Sequence, residues 1–346
     1  MANFADSVWN AAQYKLNEMM QKPEFKHKPS AALSVFLKNT QFLIPASERE
    51  RLWNQKPSDS IGVTIKTLDK QTTTAASARA AAHTGNNNDA TTTTATYVTY
   101  AQKFKYSIKE SDKHVFNLAE MVAAQIRSAS IALHAVVETA YLALLNTYKT
   151  QVVVSSSPQS GTWDGTAFIF EVNSSQANFY FQRLIAFMQE QYYSGNFDVV
   201  NNMAASISAG QLVQQGQGNQ TNLGWQMMGL NMVTSTEYTN PTGYTQASYI
   251  IPEGTIGVLP WIPDLNRRGF GDTFGNGGSY RTMPDPLGSG LTFAVHEYAT
   301  GADTNSTYGE TQDIDIQVEI SVDLAPVIAP MSTSNLTPIV KAGLLI

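Results

Sequence analysis

Five histidines, His27, His83, His114, His134 and His296, are scattered along the chain. None has the close spacing that brings two imidazoles onto one metal ion. His134 sits beside an apolar helical stripe, where a packed structural histidine is expected rather than a ligand. His296-Glu297 lacks a second histidine four residues on, so it is not a zinc-protease helix. Carboxylates offer a second chemistry. Residues two apart on a strand share a face, so Asp313 and Asp315, with Glu319 further along, converge enough to suggest a cation. Their alternation with apolar residues makes a solvent-facing or partner-facing row the simpler account. The glycines of Gly269-Phe270-Gly271 and Gly275-Asn276-Gly277-Gly278 are not followed by a helix and a lysine, and they read as turns. Lys22, Lys26, His27 and Lys28 form one small basic patch, without the stripe and reading element of a sequence-specific DNA binder. With no cysteine in the chain, thiolate chemistry, disulfides and Cys-ligated metals are excluded. No catalytic residue, cofactor site or metal site is expected.

The composition turns attention from chemistry to surfaces. Only 14% of the 346 residues are charged, against about 25% in an average soluble domain. Ser, Thr, Asn, Gln and Gly take their place, giving a surface that hydrates well but repels identical copies weakly. The net charge of −6 conceals an asymmetry. Up to Val115 there are 15 Lys and Arg against 10 Asp and Glu, a net of +5. The remainder has 7 basic and 18 acidic residues, a net of −11. A basic front and an acidic body attract each other, within one chain or between copies. Met1–Asn10 lacks the basic and apolar regions of a secretory signal, and no stretch approaches ~18 consecutive apolar residues. These signals predict a protein made in the cytoplasm that stays soluble.

Several elements are legible. Residues 1–56 read as an arm with short helical pieces: Phe4, Val8, Ala11 and Ala12 fit a helical stripe, and Pro23, Pro29, Pro45 and Pro57 punctuate the chain beyond it. Ser47-Glu48-Arg49-Glu50 matches a capping box ahead of Leu52 and Trp53. Residues 61–108 read as a long hairpin, with Ile61, Val63 and Ile65 alternating on one strand and Phe104, Tyr106 and Ile108 on the return. Between them Gln71–Thr96 is rich in Thr, Ala and Asn and cannot supply a core of its own. It reads as a surface loop or as a projecting segment that settles on another subunit. Asp112–Lys149 contains no Pro or Gly, and Leu118, Val122, Ile126, Ala129, Leu133, Val137, Ala140, Leu144 and Tyr148 make one helical face, capped by Ser111 or Asp112. Further helices are predicted over 176–193 and 203–215, and a short buried strand over 197–200. Ile314, Ile316, Val318, Ile320 and Val322 alternate with polar residues as an amphipathic strand.

This order of parts resembles the HK97-fold major capsid proteins of tailed double-stranded DNA bacteriophages, and the resemblance covers essentially the whole chain. It implies an α+β fold with an N-terminal arm over 1–60, an extended E-loop hairpin over 61–108, and a spine helix over 112–149. That helix lies in a peripheral (P) domain made of 109–177 and 301–330, with a closing strand over 311–324. An axial (A) domain covers 178–300 and a C-terminal tail 331–346. The stretch Tyr249–Arg268 is similar to a segment of capsid proteins from phages of Bacteroidetes-type hosts. The resemblance implies self-assembly into hexamers and pentamers of an icosahedral shell, in the virion, assembled in the host cytoplasm. Implied partners are a separate scaffolding protein, a portal, decoration proteins and packaged DNA contacted without sequence preference. No counterpart of the family's N-terminal scaffolding region is expected before the arm, so the resemblance implies either a separate scaffold protein or processing. Some members join a lysine to a neighbour's asparagine, for which Lys66, Lys70 and Lys103 lie in the hairpin. Inter-subunit contact candidates are Lys66, Lys70, Arg79, Lys103, Lys105, Asp313, Asp315 and Glu319.

Two alternatives stand beside this. An encapsulin-like compartment, or another virion structural protein, would share the self-assembling character. A carbohydrate-binding β-rich protein is suggested by Trp163, Trp225 and Trp261, but it has no place for the long helix.

Overall fold

The computed structural model describes residues 2–22, 27, 29–54, 60–65, 91–107, 117–150, 158–191, 193–214, 219–220, 225–227, 229–269, 279–300, 315–329 and 338–346. Helices and sheets are mixed and the fold is α+β. The chain forms two compact units: Met1–Ser30, Tyr97–Glu138 and Pro260–Ala325 make the first, and Ala31–Thr96, Thr139–Leu259 and Pro326–Ile346 the second.

In the first unit, strands β12 (Ser279–Pro284), β13 (Thr292–Thr300), β14 (Asp315–Ile328) and β3 (Val98–Ser107) pair antiparallel in that order. The predicted alternation decides what β14 buries. Ile316, Val318, Ile320, Val322 and Leu324 are sealed from solvent, while the residues between them look outward. Helix α1 (Ala2–Gln21) buries Val8, Trp9, Ala12 and Leu16, one face at helical spacing. The short α7 (Asp264–Arg268) ends on Gly269 in the left-handed conformation. Within α7, Asn266 donates to the carbonyls of Arg281 and Val295, fixing the helix onto β12 and β13.

The second unit is built on an eight-stranded sheet. Its order is β4 (Thr162–Asp164), β5 (Ile169–Val172), β15 (Val340–Leu345), β10 (Tyr244–Pro252), β6 (Phe197–Asn201), β9 (Leu230–Thr234), β8 (Trp225–Met227) and β7 (Asn219–Gln220). Helices α5 (Tyr180–Glu190) and α6 (Met203–Gln214) contribute Tyr180, Phe181, Leu184, Phe187, Ala205 and Ala209 to a core shared with Phe170, Val199, Met232 and Ile250 of the sheet. Asn202 caps α6, its side chain accepting from the Ala205 amide. Helix α2 (Ala31–Leu43) buries Leu33 and Phe36, the latter edge-on to Tyr141 with centroids 4.7 Å apart.

The division between units falls inside the long helix α4 (Leu118–Thr147), which spans roughly 45 Å at 1.5 Å per residue. Asn117 caps it by accepting from the Glu120 amide; Ser111 and Asp112, the expected caps, lie outside the described residues. Val122, Ile126, Ala129, Leu133 and Val137 are buried as predicted. Beyond Val137 the stripe departs from expectation: Tyr141 and Leu145 are buried, and Tyr148 is exposed. Successive four-residue steps overshoot the 3.6-residue turn and carry the stripe round the helix. By length and composition α4 is the one described helix able to cross a membrane, but half of its most apolar window is buried inside the protein.

Three further expectations need correction. Where short helical pieces were expected over 1–56, the described residues form three regular helices, α1, α2 and α3 (Ala46–Asn54), and the first two bury apolar faces. The Ser47 capping box falls inside α3, whose first turn bonds instead to the carbonyl of Pro45. The tail expected over 331–346 contains β15, an interior strand of the large sheet; its short apolar run has no period to announce it. The unit boundaries fall after Ser30, Thr96, Glu138, Leu259 and Ala325 and do not define the A-domain limits expected at 178 and 300.

Candidate assembly surfaces

The hairpin exists, but with a different return strand. β1 (Ser60–Ile65) pairs with β2 (Thr91–Thr96), from Ser60 opposite Thr96 to Ile65 opposite Thr91. The expected return strand, Tyr97–Ile108, instead supplies β3 (Val98–Ser107), which joins β14 in the first unit. A run of threonines has no apolar alternation to mark it as a strand, whereas β3 is rich in aromatic residues. Directly opposite residues share a face, so Val63, Ile65 and Ala95 make the hairpin's buried side. Gly62, Thr64, Thr92, Thr94 and Thr96 make an exposed, uncharged one.

Helix α3 holds β1 from the side. The Arg51 guanidinium grips the Glu48 carboxylate with two donors, at 2.9 and 2.6 Å. The same pair reaches the strand: Arg51 donates to the Gly62 carbonyl at 3.1 Å, and the Thr64 amide donates to Glu48 at 3.3 Å. The bond from Arg51 draws the Glu48 carboxyl below the ordinary carboxylate range, against a smaller opposing effect of burial. Nothing in the local sequence announces this arrangement, since the bonded groups lie 11 and 16 residues apart.

The predicted contact residues divide. Lys66, Lys70, Arg79 and Asp313 lie outside the described residues. Asp315 stands opposite Ser107 and Thr300 in the register. Lys103 and Glu319, directly opposite each other on β3 and β14, form an ion pair at 3.1 Å on the exposed sheet face. Lys105, opposite Gln317, is exposed on the same face. Neighbouring strands add an aromatic row, with His296 stacked between Tyr280 at 4.4 Å and Tyr298 at 5.7 Å. No group of three or more metal-ligating side chains occurs among the described residues.

Buried polar clusters serve as internal fastenings. In the first unit His134 accepts from the Ser30 amide through Nδ1, at 3.0 Å, so Nε2 carries the proton and points at Asp285, 2.9 Å away. Burial raises the Asp285 carboxyl, but the bonds from His134, Ser289 and Leu287 outweigh it and the net shift is downward. The Ser30 hydroxyl donates to Glu138 and not to the imidazole. A serine, a histidine and an aspartate therefore meet without forming an activated nucleophile. In the second unit Asp198 is buried and receives Lys38 at 2.7 Å and Asn39 at 2.6 Å. Of the tryptophans behind the carbohydrate alternative, Trp163 is stacked on Phe187 against the core, and Trp261 carries the Arg267 guanidinium over its ring at 5.9 Å.

No family model and no curated protein matches the sequence. Among solved structures, the chain is similar to one from Mycobacterium phage Adephagia at 10% identity and a TM-score of 0.47, covering 93% of this chain and 91% of that one. Against a chain of the cyanophage A-1(L) capsid asymmetric unit, identity is 10%, coverage 91% and 92%, and the TM-score 0.46. A chain from Gordonia phage Cozz gives 10%, 93% and 88%, and 0.44. Likeness this distant does not define a function.

Proposed function

We propose that this chain is a shell-forming subunit, the major capsid protein of a tailed double-stranded DNA bacteriophage with an HK97-like fold. The observation that carries the reading is a succession of parts. A two-stranded hairpin pairs only with itself among the described strands, and it runs directly into a strand of a different sheet. A 30-residue helix comes next, and a 14-residue amphipathic strand returns to pair with that sheet strand. Under this reading β1 and β2 are the base of the E-loop, α4 is the spine helix and β14 closes the P-domain sheet. The sheet that carries β6, β9 and β10 supplies the A-domain.

Subunits join as hexamers and pentamers, and the hairpin reaches a neighbour. The role is structural rather than catalytic. A body of net charge −11 keeps packaged DNA from adhering to the shell wall. A scaffolding protein, a portal and decoration proteins complete the virion. Negative-stain microscopy of the purified protein tests the reading. Closed shells tens of nanometres across are expected, and a protein that stays monomeric at all concentrations overturns it. Shells with neither DNA nor a portal vertex would turn the reading toward a protein compartment.

A further inference from the structure

In the first unit the buried His134 uses its two ring nitrogens in opposite senses. Nε2 donates to Asp285 at 2.9 Å, while Nδ1 accepts from the Ser30 amide at 3.0 Å. The first bond survives protonation of the ring, because Nε2 carries its hydrogen in both forms. The second does not. A protonated Nδ1 is a donor, and it cannot face another N–H.

Acid therefore sets two effects against each other. The ionisable groups that face the ring are Asp285, from the connection between β12 and β13, and Glu138, one turn further along α4. Both carboxylates favour a charged imidazole. Asp285 lies below its ordinary 3.8, so it is charged wherever an imidazole titrates. Phe293 of β13 is edge-on to the ring with centroids 6.2 Å apart, and it carries no charge to add. The Ser30 amide alone favours the neutral ring.

A second acceptor is already within reach of Nδ1. Ser30 is bonded twice, through its amide to His134 and through its hydroxyl to Glu138. His134 and Glu138 stand at i and i+4 on α4, the spacing at which helical side chains meet. A protonated Nδ1 can therefore take over the carboxylate that the serine hydroxyl holds. We infer that the Ser30–His134 bond is an acid-opened latch, in which protonation moves Nδ1 from the Ser30 amide to the Glu138 carboxylate and frees the residue that precedes α2.

The latch has a definite place in the chain. Ser30 ends the first unit's opening stretch and Glu138 ends its middle one, so the cluster ties together two of the three points at which the chain leaves that unit. The inference concerns a single subunit and does not depend on the shell-forming reading.

Hydrogen exchange on the full-length wild-type protein, read by mass spectrometry across pH, tests it. Exchange at the His134 Cε1–H follows proton uptake by the ring. Amide exchange resolved at Ser30, corrected for its intrinsic pH dependence, follows the latch. Ser30 protection is expected to fall on the order of tenfold or more at the midpoint of the ring's own titration, with the far-ultraviolet circular dichroism unchanged. His134→Gln keeps a side-chain acceptor and a donor but takes up no proton, so its Ser30 amide should stay protected over the same range. Glu138→Gln removes the waiting charge, and His134 should then titrate lower by on the order of one pH unit. Protection indifferent to the ring's titration, or lost equally in His134→Gln, overturns the latch. So does a ring that takes up no proton until the whole chain unfolds. Should His134→Gln fail to fold, coincidence or separation of the two wild-type midpoints decides the question.

Discussion

At the residue scale the informative positions are those where packing leaves no slack. Gly343 of β15 lies against the Tyr244 ring so closely that a Cβ would sit 2.4 Å from a ring carbon. Gly343→Ala is expected to cost about 1–3 kcal/mol, read from the denaturant midpoint. Gly165→Ala, with open space at that position, should change little. His134 fastens Ser30 and Asp285 at once, so His134→Phe takes the acceptor from a buried amide and one of three donors from a buried carboxylate. About 1.5–3 kcal/mol should be lost.

Two groups give stability a pH dependence. The folded Asp285 lies below its ordinary 3.8, so its contribution is present above that pH and is lost as acid protonates the folded carboxyl. Asp285→Asn should flatten the acid limb of the unfolding curve. Lys341 behaves in the opposite sense. Burial, reinforced by the Lys149 charge, lowers it from 10.5 to about 8. Between those values the unfolded chain binds more protons, so stability should rise with pH across the window. Lys341→Met should abolish that rise.

At the element scale, α4 and β14 were legible because each repeats its apolar residues at the period of its own backbone. The helix start was misplaced because Ser111 and Asp112 offer the same capping chemistry as Asn117, and pattern alone does not rank them. Alanine replacement separates the helix faces. Ile126→Ala, at a sealed position, should cost about 2–5 kcal/mol. Val136→Ala, at a residue 58% exposed, should stay within about 0.5 kcal/mol. The hairpin was legible as a hairpin but not in its pairing. Its return strand carries hydroxyls on both faces, so nothing in the composition marks which residues turn inward. The contact of Glu48 and Arg51 with β1 is tertiary, and only the folded chain brings those groups together.

At the scale of the whole molecule, the α+β class and the succession of parts were readable from order and length. The two compact units were not, because each is assembled from three separate stretches of chain. Such a partition depends on contacts between distant segments, which leave little trace in local pattern. The charge asymmetry is a whole-chain property with its own test. If a basic front meets an acidic body between copies, assembly should weaken as salt is raised from about 0.05 to about 1 M, where the screening length falls to about 3 Å. Light scattering across that range measures it, and assembly indifferent to salt would assign subunit cohesion to backbone pairing and apolar burial instead.

The position of β15 bears on the timing of synthesis. It is the last of the eight strands in its sheet to leave the ribosome, yet it sits between β5, which it joins in parallel, and β10, which it joins antiparallel. Until it arrives, β4 and β5 have no route to the other five strands, and Phe170 and Val172 lack their cover. The second unit therefore cannot close progressively as the chain grows. It closes in one late step, so a nascent chain on a crowded polysome carries an unfinished sheet and is a poor partner for its neighbours until that strand is delivered.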